Sequence, residues 1–156
     1  MHVAVFNGSP RRNGNTARLC KLFCETLAAE DISSEIIQVG GVRVHGCLEC
    51  NHCRRSGEEV CVQKDDPFNE WFEKMRAADG IVLATPVFVG NVTSEMKALI
   101  DRACYISRMR VRVQRQDNIF KHKVAAPLIA VRRAGAMQAY FNSCLLYTSP
   151  SPRDCS

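Results

Sequence analysis

Short apolar runs alternate with longer amphipathic segments along this chain, and that alternation restricts its fold more than any other feature. Each run has the length of a buried strand, and the four runs are 2–7, 34–39, 80–85 and 124–131. The segments between and after them space their apolar residues as helices do, and these segments are 16–29, 67–78, 94–103 and 134–143. Strands separated by helix-length crossovers predict an α/β fold with helices on both faces of a parallel sheet.

The strands are expected to pair as a doubly wound, flavodoxin-like sheet in the order 2-1-3-4-5. In that order ligands bind at the carboxyl ends of strands 1 and 3, where the winding of the chain reverses. Because four strands are predicted, we expect strand 5 to be missing through truncation. Strand 4 would then be an unprotected edge.

One domain is expected over residues 1–143, with a cysteine-rich loop at 45–66. Residues 144–154 match, letter for letter, the translation of a transposon sequencing adaptor. We therefore interpret 144–156 as a non-native tail and base no fold prediction on it. A natural disordered tail rich in Ser and Pro is the alternative.

Composition and charge narrow the classes of protein. The chain of 156 residues is 46% hydrophobic with a formal net charge of +5, which is ordinary for a globular domain. No apolar run approaches the roughly 18 residues of a membrane span, and the N-terminus lacks signal-peptide features. Nine cysteines without a secretion signal favour a reducing cytoplasm. Basic residues between 108 and 123 are interpreted as a solvated loop, because no nucleic-acid-binding module is matched.

The loop 8–16 joins the first strand to the first helix and favours phosphate binding. A helix N-terminus offers unpaired N–H groups and a positive dipole end. Ser9 and Thr16 add hydroxyl donors, Arg11 or Arg12 adds charge, and Gly14 allows close approach of the backbone. No Gly-Lys-Ser/Thr follows, so nucleotide hydrolysis is disfavoured. An ordinary polar turn with a capped helix is the alternative.

The loop 86–91 follows the third strand and places one aromatic ring, Phe88, among several backbone amides. Judged alone, Phe88 is more typical of a core. Beside a phosphate-binding loop, the same residues are compatible with a flat aromatic cofactor.

Four cysteines crowd into the loop 45–66, and they are Cys47, Cys50, Cys53 and Cys61. Three thiolates at two-residue gaps with a fourth nearby can hold an iron–sulfur cluster. Zinc fits less well, because structural zinc sites usually pair two separate cysteine knuckles. A further alternative is that the four cysteines are reduced thiols that bind no metal. His45 and His52 flank the thiols and are interpreted as polar loop residues.

Several motifs recur together in one order: 8–16, the cysteine run with 65–66, 78–80, 85–88, 96–102 and 132–135. That order resembles the NADPH-dependent FMN reductase-like flavodoxin family, and in particular its iron–sulfur flavoprotein branch. The resemblance covers residues 2–143. It implies FMN, oligomers when the chain is full length, and electron flow to or from the flavin.

Site residues are carried over from the family by matching position. The resemblance implies that the FMN phosphate is held by Ser9, Arg11, Asn15 and Thr16. It implies that the isoalloxazine ring is lined by Pro86, Val87, Phe88, Val89, Gly90 and Asn91. It implies that a 4Fe–4S cluster is ligated by the four loop cysteines. Phe88 stands where the family often has Tyr, and the family's C-terminal portion is absent.

The helix motif 96–102 also matches the family. A surface ion pair explains its charged residues, Lys97, Asp101 and Arg102, at least as well, so they are left out of the predicted site.

The predicted function is an FMN-binding oxidoreductase or electron-transfer protein whose flavin passes electrons to or from a 4Fe–4S cluster. No side-chain acid or base is required, so no catalytic residue is predicted. The expected partners are a redox protein or a small-molecule acceptor, with NAD(P)H as a possible co-substrate. One alternative is an NAD(P)H-dependent FMN, quinone or nitro reductase without a cluster. Another is a non-enzymatic module stabilised by zinc.

Overall fold

Four parallel strands form one sheet, and five helices connect or follow them, in a computed structural model that describes residues 1–148. The elements in chain order are β1 (His2–Asn7), α1 (Asn15–Ala29), β2 (Ser33–Gln38), α2 (His52–Ser56), α3 (Phe68–Ala77), β3 (Gly80–Pro86), α4 (Ser94–Val113), β4 (Val124–Ala130) and α5 (Ala136–Thr148). Residues 144–148 of the predicted non-native tail form the end of α5, where Leu146 is buried in the core, and residues 149–156 lie outside the described residues.

The strand order β2-β1-β3-β4 confirms the predicted doubly wound, flavodoxin-like arrangement. Asn7, the last residue of β1, is in register with Gln38 on one side and with Ala84 on the other. The carboxyl ends of β1 and β3 therefore lie side by side. This neighbourhood is the switch point at which such sheets bind ligands.

Helices cover both faces of the sheet because side chains of the central strands alternate between two apolar clusters. Ala4 and Phe6 of β1 face the cluster built with α3 and α4. Val3 and Val5 face the smaller cluster beneath α1. A period of two along a strand that is buried on both faces produces this division.

The outer edge of β4 carries a proline. Val124 directs its N–H toward the carbonyl of Asp79, beside β3. Since successive residues of a strand alternate the direction of their N–H groups, the nitrogen of Pro127 faces the other side of β4. Proline is tolerated at that position because no ladder bond to β3 is lost.

Several boundaries differ from prediction. Helix α2 lies within the cysteine loop and was not expected. Helix α4 continues to Val113, so Arg108, Arg110 and Arg112 lie on a helix and the prediction of a loop there was wrong. The continuation has packing support, because Ile106 is buried in the core. None of the described helices is long and apolar enough to cross a membrane.

Candidate functional site

An open groove of about 980 Å³ lies at the carboxyl ends of β1 and β3. Seven of the predicted flavin-site residues line it, namely Ser9, Arg11, Asn15, Thr16, Pro86, Val87 and Phe88. The lining is completed by Gly14, by the α1 residues Arg18, Leu19 and Leu22, and by the segment 129–132. Two loops that are 70 residues or more apart in sequence thus share one cavity.

The loop after β1 is folded tightly around Ser9. The Ser9 hydroxyl accepts the N–H of Arg11 at 3.2 Å, and the N–H of Ser9 reaches the side-chain oxygen of Asn7 at 3.1 Å. Helix α1 then begins at Asn15, one residue earlier than predicted, after Gly14. Thr16 is therefore the second residue of the helix and lies in its first turn.

The N-terminus of α1 is suited to an anion. No side chain of the described residues forms a capping hydrogen bond to it. The first N–H groups of a helix need partners from outside the helix, and a phosphate provides them. Together with the Arg11 charge, the uncapped helix end fits the phosphate of FMN.

Three residues that the sequence reasoning missed, Asn7, Gln38 and Gly40, support this loop. The Gln38 amide donates to the carbonyls of Ser9 at 2.7 Å and Gly40 at 2.6 Å. Its oxygen accepts the Asn7 amide at 2.9 Å. A Cβ on Gly40 would lie 2.3 Å from the Gly8 carbonyl oxygen, so the backbones touch there. The signal in the sequence that could have identified two of them is that Asn7 and Gln38 are polar residues at the ends of neighbouring strands.

The loop after β3 closes as a tight turn. Phe88 and Asn91 exchange backbone hydrogen bonds of 2.8 and 3.0 Å, with Val89 (φ 48°) and Gly90 (φ 78°) between them. Phe88 is half-exposed and lines the groove, so it is not a core residue. Val89, Gly90 and Asn91 do not line the groove in this structure, and their contact with a flavin stays a prediction.

Helix α4 begins against both loops. The Thr93 hydroxyl donates to the carbonyl of Gly8 at 2.8 Å, and the Thr93 N–H reaches the Thr85 hydroxyl at 3.3 Å. Thr93 occupies the N-cap position of α4, and its side chain forms no capping hydrogen bond. Its side chain instead ties the loop after β1 to the start of α4.

The four predicted metal-ligating cysteines also come together. They line one small cavity with Arg102, Tyr105 and Ile106 of α4. Cys47 and Cys50 are exposed, whereas Cys53 and Cys61 are half-buried. Burial raises the pKa of the Cys53 thiol, and the nearby Cys47 thiol raises it further. Metal binding would therefore release a proton from Cys53.

The spacing of these thiols is wider than in a closed zinc site. Four sulfurs at Zn–S distances of about 2.3 Å lie about 3.8 Å apart in a tetrahedron. Among residues 1–148, the one group of three potential ligands within 4.8 Å of one another is His45, Asp65 and Asp66, with no cysteine in it. In the described part of the chain, the thiols are thus not drawn together as closely as the sulfurs of a closed zinc site.

Neighbouring side chains fix the backbone of the cysteine loop. Asn69 of α3 binds both backbone groups of Cys61, accepting its N–H at 2.9 Å and donating to its carbonyl at 3.0 Å. The Tyr105 hydroxyl donates to the side chain of Asn51 at 2.7 Å. Sequence reasoning missed both residues, because nothing local connects α3 or α4 to the thiols.

Arg102 is buried, and the interpretation of it as part of a surface ion pair was wrong. Its side chain is 1% exposed and that of Asp66 is 0% exposed, and the two are paired at 2.5 Å. The guanidinium lies 4.0 Å from the centre of the Phe68 ring. Lys97 and Asp101, which are one helical turn apart, do form an exposed ion pair.

Asp66 lies at the start of α3, which the sequence predicted to begin at Pro67. The helix begins at Phe68, whose N–H reaches Asp66 at 3.2 Å. Burial acts to raise the pKa of Asp66. Hydrogen bonds from Arg102 and from the backbone N–H groups of His45 and Phe68 outweigh burial, so that the net pKa lies below the ordinary value.

The fold and the groove define a flavodoxin-like protein with an open groove at the switch point of its sheet. The profile of the NADPH-dependent FMN reductase family matches residues 1–145. This chain belongs to that family, as the sequence resemblance predicted.

Two relatives agree with this assignment. The chain is 34% identical to an iron–sulfur flavoprotein of Methanosarcina thermophila over 128 residues, which are 82% of this chain and 62% of the relative. It is 38% identical to an iron–sulfur flavoprotein of Methanocaldococcus jannaschii over 103 residues, which are 66% of this chain and 52% of the relative. The chain thus spans between about half and 62% of the length of these two relatives.

Two solved structures share the fold at low sequence identity. RosB with bound 8-demethyl-8-formylriboflavin-5′-phosphate matches with a TM-score of 0.75 at 19% identity, covering 97% of this chain and 60% of RosB. The apo form of the NADH:FMN oxidoreductase EmoB matches with a TM-score of 0.60 at 21% identity, covering 90% of this chain and 63% of EmoB. At these identities the likeness shows the fold alone.

Proposed function

We propose that this chain binds FMN in the groove and passes electrons between the flavin and a 4Fe–4S cluster. The observation that carries the proposal is that one helix connects the two cavities. Helix α4 starts beside the loop after β1 and contributes Arg102 and Tyr105 to the thiol cavity. Eight residues separate Ser94 from Arg102, which corresponds to about 12 Å along a helix.

The groove supports FMN through its two loops. In this proposal, the uncapped start of α1 and the side chains of Ser9, Arg11, Asn15 and Thr16 hold the phosphate. The segment 86–91 borders the ring system. FMN accepts two electrons and can release them singly, and a cluster carries one at a time. The residues of this chain bind and orient the cofactors, and no side-chain acid or base is assigned.

The thiol cavity supports the cluster through its donor set. The four ligands in this proposal are Cys47, Cys50, Cys53 and Cys61. Cysteine thiolates are the usual ligands of such clusters, and three of the four stand in one run at two-residue gaps. The names of the relatives as iron–sulfur flavoproteins support the same assignment.

The remaining expectations are proposals for the whole protein. They comprise a domain over 1–143, a redox protein or small molecule as electron acceptor, NAD(P)H as co-substrate, a homo-oligomer and a cytoplasmic location. The family membership supports the choice of co-substrate.

Anaerobic purification followed by an absorption spectrum and an iron count tests the cluster. We expect a brown protein with FMN and about four iron and four sulfide per chain. Cys53→Ser should remove most of the iron, whereas Cys24→Ser on α1 should not, because Cys24 does not line the thiol cavity. A yellow protein with full FMN and no iron would point to a reductase without a cluster, and bound zinc without FMN would point to a zinc module.

A separate titration tests the phosphate site. Ser9→Ala combined with Thr16→Ala should weaken FMN binding, because two hydroxyl donors are removed from the groove. The control combines Thr26→Ala and Ser56→Ala, two exposed hydroxyl residues outside the groove. Equal FMN affinity in the two double variants would refute the assignment.

A further inference from the structure

We infer that Arg102 is the positioning residue of the cysteine site: it fixes the distance between the first and last thiols and supplies a buried cationic donor to the cavity. This inference rests on the proposed function of the thiols. It assigns a role to a residue whose charge, read along the sequence, indicated only a surface helix.

Arg102 joins the two ends of the cysteine loop. One terminal nitrogen donates to the His45 carbonyl at 3.1 Å, and the other donates to the Gln63 carbonyl at 3.4 Å. His45 lies two residues before Cys47, and Gln63 lies two residues after Cys61. A single side chain thus binds the backbone just outside the outermost thiols. Hydrogen bonds from a charged donor are stronger than neutral ones, and closing a loop of this length otherwise costs chain entropy.

The guanidinium is itself held rigidly. Asp66 binds the nitrogen that also reaches His45, and Asp66 accepts the backbone N–H of His45 at 2.9 Å. Phe68 stacks beneath the guanidinium. Lysine could not replace this arrangement, because an ammonium lacks the planar fork that reaches several acceptors at once.

One donor of Arg102 is left over. Its Nε–H is buried and has no hydrogen-bond partner within the described part of the chain. Arg102 lines the same cavity as the four thiols. A buried donor without an acceptor is unfavourable, and sulfur is a weak acceptor. Hydrogen bonds to the sulfurs and net charge both set the reduction potential of iron–sulfur clusters. A cluster in this cavity would supply acceptors, and the cation of Arg102 would favour its reduced form.

Three variants separate the fork from the charge. Arg102→Gln removes both, Arg102→Lys keeps the charge without the fork, and the double change Arg102→Met with Asp66→Leu replaces the pair by apolar side chains. Such an apolar replacement is often neutral or stabilising, so this variant guards against simple misfolding. Lys97→Gln is the matched control, because it changes the net charge of α4 by the same amount at an exposed position.

Two measurements read out the two roles. Titration of the reduced, metal-free chain with Co²⁺ reports whether the thiols are pre-positioned, through the thiolate charge-transfer absorption. We expect all three Arg102 variants to bind Co²⁺ at least about tenfold more weakly than the Lys97→Gln control. In reconstituted protein we expect the midpoint potential of the cluster to fall in Arg102→Gln and to be largely restored in Arg102→Lys.

Flavin binding distinguishes the possible failures. FMN per chain should stay at the wild-type value in the double variant, because the groove is separate from the buried pair. A double variant that binds FMN and Co²⁺ as the wild type does, or an unchanged midpoint potential in Arg102→Gln, would overturn the inference. A wild-type chain that takes up no iron or sulfide would contradict the proposed function, and the Co²⁺ titration would still decide the role of Arg102.

Discussion

Replacing Gly40 by alanine should disturb the loop after β1, although Gly40 itself does not line the groove. A Cβ at this position would lie 2.3 Å from the carbonyl oxygen of Gly8 and 2.3 Å from the carbonyl carbon of Ser9. Favourable contacts between heavy atoms begin at about 3.5 Å. The backbone at residues 8 and 9 would therefore have to move by about 1 Å.

The magnitude follows from the rigidity of that contact. Overpacking of this kind costs about 1–3 kcal/mol, and neither partner is the flexible end of a side chain. If the loop moves to relieve the contact, the Ser9 hydroxyl and the start of α1 no longer converge on one anion. At 1.4 kcal/mol per factor of ten, FMN affinity should fall by about five- to 150-fold.

Gly46→Ala is the matched control for this experiment. It makes the same chemical change after the same strand, but nothing lies within 4 Å of the added Cβ. Gly→Ala at an unstrained position stabilises by about 0.4–1 kcal/mol. Titration of each metal-free chain with FMN, followed by flavin fluorescence, compares the two variants. FMN affinities within twofold of each other would refute the reasoning.

Three further predictions concern the turn, the buried carboxylate and the thiols. Val89→Asn should stabilise the fold by about 1 kcal/mol in urea unfolding, because valine is strained at φ 48° and asparagine tolerates that region; an unchanged or lower stability would contradict this. The folded-state pKa of Asp66 is depressed, so its contribution is full above the unfolded pKa of about 3.9 and is lost as pH falls. Asp66→Asn should accordingly lose less stability than the wild type between about pH 5 and about pH 2, a range that brackets the unfolded pKa. Parallel curves of stability against pH for the two proteins would contradict this. In the metal-free chain, iodoacetamide should label exposed Cys47 and Cys50 before Cys104, whose pKa burial raises to about 12; mass spectrometry of the labelled peptides would expose any other order.

The fold could be predicted because its evidence is local. Apolar runs of strand length and segments with helical spacing are visible in the sequence, and the handedness and order of such crossovers leave few alternatives. The observed order β2-β1-β3-β4 confirms that reasoning. Boundaries were less secure. Helix α4 extends ten residues beyond its predicted end at Ala103. The reason is that buried residues such as Ile106 keep the helix packed against the core in a segment whose sequence is conspicuous only for its basic residues.

The candidate site could be predicted in part. Residues on the two loops were found because loops at the switch point bind ligands whatever the sequence between them. The supporting residues were missed, because Gln38 and Asn69 act through contacts with backbone that is distant in the chain. Val89, Gly90 and Asn91 were assigned by family resemblance, and their contact with a flavin stays a prediction.

By itself, the sequence determined the fold class, the family and the presence of four clustered thiols. Each of these depends on residue types at fixed spacing. The tertiary structure alone decided which charges are buried. Arg102 and Asp101 are neighbours in sequence, yet one is enclosed beside the thiols and the other is exposed. The reason is that adjacent residues of a helix point about 100° apart, and only the packing of α4 against the cysteine loop selects which of them is inside.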